Sequence, residues 1–320
     1  MQKSIKIISF SDLVADVLIE IPTLPVEAAA HQVVKRINLE PGGASNFLIA
    51  GRRLGMSMSS LAVVGNDFYG SEMVRILKEE GIDVEEVIFQ QQDGTTVVFV
   101  LQDQKKQHVF LGKYGVGPLQ SLPASWKRKL EQADAIQFWG YSLLEERIVD
   151  AFFEAMQAAH KNQTLVSFDP GPMAAQASPQ TIQKIINKCH ILLMTEEEIP
   201  SMLADSTQID DAQKLLDQGP EIICVKRGAE GCVIFSKNHK IEHAGYPVQV
   251  NDTAAAGDAF NAAFLFGYLQ GWSLHQVASF ANAMGAAKVQ KYGSGRQVPT
   301  LQEVIRVLND FSEPLPDFEG

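Results

Sequence analysis

The sequence contains few cysteines, and they are not spaced for cross-linking. Only three occur in 320 residues, at Cys189, Cys224 and Cys232, and each lies in an apolar stretch. This pattern indicates buried, reduced thiols and argues against disulfides or a zinc site. We therefore expect a cytoplasmic protein.

Positive charge is also scarce, with 27 Lys and Arg against 38 Asp and Glu and a net charge of −11. This balance argues against a nucleic-acid-binding surface, so a bound anion such as a nucleotide must be held by a local feature. No apolar run approaches the roughly 18 residues of a membrane span, and we expect no membrane partner. The N-terminal segment contains Asp12 and Asp16 and no small-residue cleavage pattern, which predicts a first strand and not a signal peptide.

Strand-like runs alternate with helical patterns along most of the chain. For example, "SSLAVVG" precedes "YGSEMVRILKEEG", in which Met73, Val74 and Leu77 recur at helical spacing. Repeated units of this kind predict an α/β fold with a doubly wound, mainly parallel sheet flanked by helices. We assign residues 1–12, 41–94 and 113–320 to this domain.

Two stretches interrupt the alternation, at residues 13–40 and 95–112. Both are rich in strand-forming residues but lack crossover helices, and the second is typical of a hairpin that turns near Asp103–Lys105. We predict that they form a small separate sheet, called the lid. Such a sheet needs a ligand cleft, a second subunit or both to cover its exposed face, and we expect a homodimer paired through the lid.

The segment "NDTAAAGDAFNAAFLFGYLQG" combines two carboxylates with a run of very small residues. From Gly257 onward it is apolar nearly all round, which predicts a buried helix that ends near Gly271. The first turn of a helix has unpaired N–H groups and a partial positive charge, and small side chains let a phosphate approach them. The sequence therefore predicts an anion site made of backbone amides.

Asp258 lies in the first turn of this helix and has two interpretations. It is either a favourable helix-start residue or a general base that accepts the proton of a hydroxyl attacking the γ-phosphate of ATP. Asp252 is similarly either a turn residue or a polar ligand that fixes the loop or a nearby cation.

The same segment resembles the C-terminal signature of the ribokinase-like carbohydrate and nucleoside kinases, the PfkB family, written D-T-x-[GA]-A-G-D. The N-terminal stretch "EPGGASNFLIAGRRLG" resembles the other family signature, and "VGNDFYGSEMVRILKEEGI" follows it in the family order. The resemblance extends from Ser9 to about Pro299 and implies the ribokinase-like fold and kinase activity.

The resemblance also implies site residues. Asp258 corresponds to the catalytic base, and the backbone of Ala255, Ala256 and Gly257 to the anion hole, although the family often has glycine at position 255. The implied substrate-binding residues are Asp16, Gly42, Gly43 and Asn46. Asp12 could bind substrate or only brace the turn after the first strand, and Lys113 could reach a substrate carboxylate or phosphate or simply be solvated.

For the nucleotide, the resemblance implies the loop "VKRGAEG" with Lys226, Gly228 and Gly231, and Asn282 near the adenine. Asn282 could equally be an ordinary polar helix residue. In the family pattern N-x-x-E, Thr195 here replaces the asparagine and can still offer an oxygen to the nucleotide site, while Glu198 keeps the acid. Glu198 would contact Mg²⁺ through water or serve only as a helix-start acid. A monovalent cation, K⁺, is implied near Asp252, Ala254 and Gly293.

We expect an ATP- and Mg²⁺-dependent kinase that phosphorylates a primary hydroxyl of a sugar or sugar derivative. The alternatives are a nucleoside kinase and a catalytically silent sugar- or nucleotide-binding protein of the same fold. The presence of Asp258 argues against the silent protein. The strand "AIQFWGYS" lacks the acid that ribokinase places there, which disfavours ribose, and Phe138 and Trp139 are best explained as core residues.

Overall fold

The computed structural model describes residues 4–29, 31–105, 107–115, 121–143, 146–204 and 206–318, with only the backbone at 146–148. The expected assignments of residues 1–3, 30, 106, 116–120, 144–145, 205 and 319–320 lie outside this part. No helix in the described ranges is both long and apolar enough to cross a bilayer.

The strands in these ranges are β1 (Lys6–Phe10), β2 (Val14–Glu20), β3 (Arg36–Gly42), β4 (Ser57–Leu61), β5 (Val63–Gly65), β6 (Ile88–Gln90), β7 (Thr96–Gln102), β8 (His108–Lys113), β9 (Ala135–Trp139), β10 (Leu165–Asp169), β11 (Ile191–Thr195), β12 (Ile222–Lys226), β13 (Cys232–Ser236) and β14 (Lys240–His243). The α-helices are α1 (Ala44–Arg53), α2 (Phe68–Glu79), α3 (Ala124–Leu130), α4 (Glu146–Lys161), α5 (Pro179–Ile186), α6 (Ile199–Met202), α7 (Ala256–Leu269), α8 (Leu274–Val289) and α9 (Leu301–Asp310).

Eight strands form the large sheet in the order β14-β13-β12-β11-β10-β9-β1-β4. The pairs from β12 to β4 are parallel, and only β13 and β14 join in antiparallel fashion. The prediction of a mainly parallel α/β sheet is therefore confirmed. Because parallel strands all end at one edge, the residues that follow β1, β9, β10, β11 and β12 meet there.

The core lies on both faces of this sheet, since successive strand residues point to opposite sides. In β1, Ile7 packs into one apolar cluster and Ile8 and Phe10 into the other. The central strands β9 to β12 are buried on both faces and mostly apolar, as parallel strands generally are, whereas the edge strand β14 is partly exposed. All three cysteines are buried and unbridged, and Phe138 and Trp139 are core residues.

Helix α7 is buried on almost every side from Ala259 to Gly267. Its alanines and glycine allow close packing against α8 and α1, while Phe260, Phe264 and Phe266 fill the larger spaces. It begins at Ala256 and ends at Leu269, just before Gly271, so the predicted buried helix is present.

The interrupting stretches form a separate four-stranded sheet in the order β3-β2-β7-β8. β7 and β8 are an antiparallel hairpin, and the Asp103 carboxylate accepts hydrogen bonds from the amides of Lys105 and Gln107 in its turn. The division of the chain into domains at 13–40 and 95–112 remains a prediction, but the strands lie at those positions. β3 runs through Gly42 directly into α1, so the small sheet is continuous with the main body.

Candidate active site

The N-terminus of α7 presents unpaired amides beside a carboxylate. Ala255 caps the helix with a left-handed backbone, φ 63°, and the amide of Ala256 makes only a long bond of 3.3 Å to the Thr253 carbonyl. Within the described residues, no hydrogen bond is formed by the amides of Ala255 and Gly257, and Gly257 is exposed. These donors at the positive end of a helix can bind a phosphate.

Asp258 is held beside these amides by a residue from the other end of the chain. The Nδ2 of Asn46, in α1, donates to Oδ2 of Asp258 at 2.9 Å, and the Oδ1 of Asn46 accepts from the amide of Gly295 at 2.7 Å. Burial raises the pKa of Asp258 to about 7, an effect that Asn46 opposes and Asp169 reinforces. A carboxyl with such a pKa is suited to accept a proton near neutral pH.

Asp16 lies in lid strand β2, against the diglycine turn. Its Oδ2 accepts from the hydroxyl of Ser294 at 2.8 Å, next to the Gly295 that binds Asn46. Burial raises the pKa of Asp16 to about 6. Asp16, Asn46 and Asp258 are thus linked through one short segment.

The glycine at position 42 is required by the Asp16 carboxyl. A Cβ on Gly42 would lie 2.2 Å from Cγ and Oδ1 of Asp16, whereas Gly43 needs its positive φ of 53° to start α1. The turn therefore sets the position of Asp16 and, one helical turn later, that of Asn46.

We expect Gly42→Ala to raise the KM for the phosphoryl acceptor by more than about tenfold, because the methyl displaces Asp16 and one lost charged hydrogen bond is worth about 1.5–3 kcal/mol. Steady-state kinetics with varied acceptor and fixed ATP measures this. The matched control is Gly285→Ala in α8, where a Cβ meets nothing within 4 Å. An unchanged acceptor KM in Gly42→Ala would contradict the assignment of Asp16.

Two other sequence candidates have different surroundings. Asp12 accepts hydrogen bonds from the hydroxyls of Ser11 and Thr96, the latter at 2.8 Å, and so ties the turn after β1 to lid strand β7. The ammonium of Lys113 is 2.8 Å from the carboxylate of Asp93 on the surface. The structure thus brings neither side chain into contact with Asp16, and their substrate roles remain predictions.

The nucleotide loop brings in a buried network that the sequence did not reveal. The Nζ of Lys226 donates to Asp169 Oδ2 at 2.7 Å and to Asn261 Oδ1 at 3.2 Å, and the Nδ2 of Asn261 donates to the same Asp169 oxygen at 2.6 Å. This Nζ lies 3.7 Å from where a Cβ on Gly257 would be. Burial works against the charge, but Asp169 and Glu198 raise the pKa of Lys226, so an ammonium stands behind the proposed anion hole.

Asp169 and Asn261 were missed for different reasons. Asp169 ends β10 and therefore lies at the carboxyl edge of the parallel sheet, where ligands bind. That position could have indicated a site residue. Asn261 lies one turn after Asp258 on the same helix, which was the signal in its case.

Thr195 and Glu198 form a capping box after β11. The amide of Thr195 donates to Oε2 of Glu198 at 2.8 Å. Burial raises the pKa of Glu198 to about 7, and the charge of Asp169 adds to this effect. The helix-start role is therefore present, and the charges of Asp169 and Lys226 both act on the same carboxyl.

Gly228 and Gly231 both adopt positive φ, 54° and 89°. A Cβ on Gly231 would lie 2.0 Å from the His243 carbonyl, so that glycine is required by the neighbouring chain, whereas the space around Gly228 is open. Asn282 is buried, and its amide contacts Nδ1 of His243 at 3.1 Å. Its proximity to an adenine remains a prediction.

Tyr141 is a further residue that the sequence reasoning missed. It follows β9 at the carboxyl edge and is 41% exposed, with its ring against Gly171. Burial, followed by the charges of Asp258, Asp169 and Glu198, raises the pKa of its phenol. A neutral hydroxyl thus lies close to the acidic side chains of the site.

Asp252 closes the loop that precedes α7. Its Oδ1 accepts from the amide of Ala254 at 3.0 Å, and its Oδ2 accepts from the amide of Gly293 at 2.7 Å. The three residues implied for a monovalent cation are thus in contact, but the carboxylate is already hydrogen-bonded to the main chain.

A cleft of about 600 Å³ lies between one face of the lid and the loops around Asp252 and Gly293. Alternate residues of the lid strands point into it, in keeping with strand periodicity. The lid side chains that line it include Asp16, Leu18, Asn38, Val100 and Phe110. It is large enough for a sugar or a nucleoside.

The profile of the pfkB family carbohydrate kinases matches residues 5–301. The chain therefore belongs to this family and is a sugar or nucleoside kinase. The fold and the family that were predicted from the sequence are both confirmed.

Relatives in the family differ in substrate. A nucleoside kinase of Methanothermobacter thermautotrophicus is 27% identical over 293 residues, which cover 91% of each chain. Fructokinase-1 of Oryza sativa is 27% identical over 318 residues, 94% of this chain and 97% of the relative. An E. coli structure assigned as ribokinase II, solved with ATP and Mg²⁺, superposes with a TM-score of 0.84 at 23% identity and covers 96% of this chain and 99% of its own. This last similarity shows the shared fold.

Proposed function

We propose that the protein transfers the γ-phosphoryl group of ATP to a primary hydroxyl of a sugar or sugar derivative. The observation that carries this proposal is the contact between Asn46 and Asp258, which sets a carboxylate of raised pKa beside the unpaired amides of α7. Asp258 accepts the proton of the acceptor hydroxyl. The amides of Ala255, Ala256 and Gly257 hold the negative charge that develops on the phosphoryl group.

The acceptor is held from the lid side. Asp16 accepts hydrogen bonds from substrate hydroxyls, and the amide of Asn46 fixes the direction of the Asp258 carboxylate. Because Asp16 and Asn46 flank the same diglycine turn, the binding group and the orienting group move together. This arrangement favours an attack by one defined hydroxyl.

The acidic groups of the site suit the Mg²⁺ that accompanies ATP. The charge of Asp169 contributes to the raised pKa of Glu198, so the two carboxyls lie within electrostatic reach of each other. Carboxylate oxygens are hard ligands of the kind that Mg²⁺ prefers. Glu198 would hold the ion through water on the phosphate side. When bound, Mg²⁺ neutralises phosphate charge. Lys226 offsets the remaining negative charge.

The second candidate function is nucleoside phosphorylation. The cleft carries aromatic and apolar side chains, Phe110, Tyr292, Leu18 and Val100, which suit a base as well as a sugar. The nucleoside kinase relative supports the same alternative. A panel of sugars, sugar acids, sugar phosphates and nucleosides, assayed for ATP consumption, distinguishes the two. The Asp258→Asn variant serves as the blank, and a flat response across the panel would support a silent binding protein.

We also propose a homodimer that pairs through the outer face of the lid. That face carries Ile37, Phe99, Val109 and Leu111, exposed by 62%, 38%, 40% and 55%. The register places these residues on the side of the sheet opposite Asp16 and Phe110. The same apolar face of a second copy would cover these residues. A twofold dimer joins identical surfaces, so one apolar face packs against the other.

We expect the protein to sediment as a dimer at micromolar concentration and Leu111→Asp to convert it into a monomer, because the aspartate places a charge in the apolar contact. Sedimentation velocity measures both. Leu315→Asp, at another exposed leucine, should leave the dimer intact. A wild-type monomer would contradict the pairing.

A further inference from the structure

Lys288 is a buried cation that the proposed chemistry does not use. It lies in the last turn of α8 and is 0% exposed. Its hydrogen bond within the described part of the chain is long, 3.5 Å from Nζ to the carbonyl of Lys291. An ammonium has three donors, so this bond alone does not account for its burial.

Lys288 lies next to a junction between two segments of the chain. The carbonyl of Val289 accepts hydrogen bonds from the main-chain amides of Asn251 and Asp252. The side-chain amide of Asn251 donates to the carbonyl of Gln290. Gly293 is bound to the Asp252 carboxylate. The loop at 251–254 and the loop at 289–293 are therefore joined directly next to Lys288.

This junction concentrates negative charge. It contains the Asp252 carboxylate and the carbonyl end of α8, where the helix dipole is negative. Burial lowers the pKa of Lys288 to about 8, while the carboxylates of Asp252 and Asp258 oppose that decrease. Lys288 is thus mainly charged at neutral pH, although Lys291 is nearby.

The monovalent cation implied by the family resemblance does not suit this junction. Both oxygens of Asp252 already accept main-chain amides, and the loop of Asp252 is hydrogen-bonded to Val289, next to Lys288, whose pKa the Asp252 charge raises. An exchangeable ion would add a second positive charge beside the first.

We propose that Lys288 is a built-in cation that holds the 251–254 loop against the end of α8, so that the protein works without an exchangeable monovalent ion. Lys288 is then a positioning residue, because its charge fixes the loop that continues into Ala255 and the amides of α7. This inference rests on the proposed function only where activity is measured.

The first test compares wild-type protein in K⁺, NH₄⁺ and tetramethylammonium buffers of equal ionic strength. We expect the same melting temperature and the same kcat in all three. The second test uses Lys288→Ala, in which NH₄⁺ or K⁺ can enter the space of the lost ammonium. We expect kcat to decrease about 100-fold in tetramethylammonium, and both kcat and melting temperature to recover with NH₄⁺ or K⁺.

The melting temperature does not depend on the phosphoryl acceptor, so it separates this inference from the proposed function. Lys288→Met, which fills the space, should fold and show no recovery with the small cations. The matched control is Lys161→Ala, at an exposed lysine in the last turn of α4, another 16-residue helix. Stabilisation or activation of the wild-type protein by K⁺ would overturn the proposal, as would a Lys288→Ala protein indifferent to the cation.

Discussion

Asp258→Asn is expected to lower kcat by about 10²–10⁴-fold, the usual contribution of a general base. The asparagine is isosteric, and its side-chain oxygen can still accept the hydrogen bond that Asn46 now donates at 2.9 Å. The acceptor and ATP should therefore bind with affinities close to those of the wild type. Turnover is measured in steady state and affinity by calorimetry, with Asp310→Asn at an exposed carboxylate as the control. Near-normal turnover would exclude Asp258 as the base.

The pH profile gives an independent check of the same residue. Because a base must be deprotonated and burial raises the pKa of Asp258 to about 7, kcat/KM should increase with pH and level off above that value. In Asp310→Asn, kcat/KM should still increase with pH in this way, whereas the residual activity of Asp258→Asn should not. A wild-type rate that is flat between pH 5 and 8 would contradict the assignment.

The raised pKa also has a stability consequence. A carboxyl whose folded pKa is about 7 against an ordinary 3.8 binds more protons in the native state between these values, so its contribution to the free energy of unfolding decreases as pH rises through them. Asp258→Asn should thus stabilise the protein by about 1–3 kcal/mol at pH 8 and hardly at all near pH 4. The ionised Asp258 carboxylate that catalysis needs therefore lowers the free energy of unfolding.

Lys226→Met should have the second large effect, on both folding and turnover. It leaves the Asp169 carboxylate buried, with Asn261 as its remaining partner in the network, and breaking a buried ion pair costs about 3–5 kcal/mol. It also removes the ammonium behind the amides of α7, for which we expect a decrease in kcat of about 10²–10³-fold. Denaturant unfolding and steady-state kinetics measure the two effects.

The double variant Lys226→Met/Asp169→Asn separates them. It removes both charges, so most of the lost stability should return while turnover stays low. Lys78→Met, at an exposed lysine in the last turn of α2, is the control. Wild-type turnover in the double variant would show that Lys226 only supports the fold.

The large sheet and α7 could be predicted from the sequence because their signals are local. Strands that are buried on both faces are mostly apolar, and a run of alanines, phenylalanines and glycines at helical length has no stable place except in the core. The small sheet was predictable for a similar reason, since its strands lack the helices that parallel neighbours need.

The interior of the site was less predictable, because its contacts join distant parts of the chain. Lys226 meets Asp169 across 57 residues, and Asn261 meets it across 92. In sequence, Asp169 reads as the start of a turn before proline, and Lys288 reads as the solvated end of a helix. Their burial depends on which elements cover them, and no local pattern encodes that.

The direct passage from β3 through Gly42 into α1 has a mechanical consequence. Asp16 lies on β2 and Gly42 ends β3, while Asn46, one turn into α1, touches Asp258. A displacement of the small sheet therefore pulls on the side chain that orients the base. Any ligand that shifts the small sheet therefore also shifts the proton acceptor, so binding in the cleft and the geometry of the base are mechanically coupled.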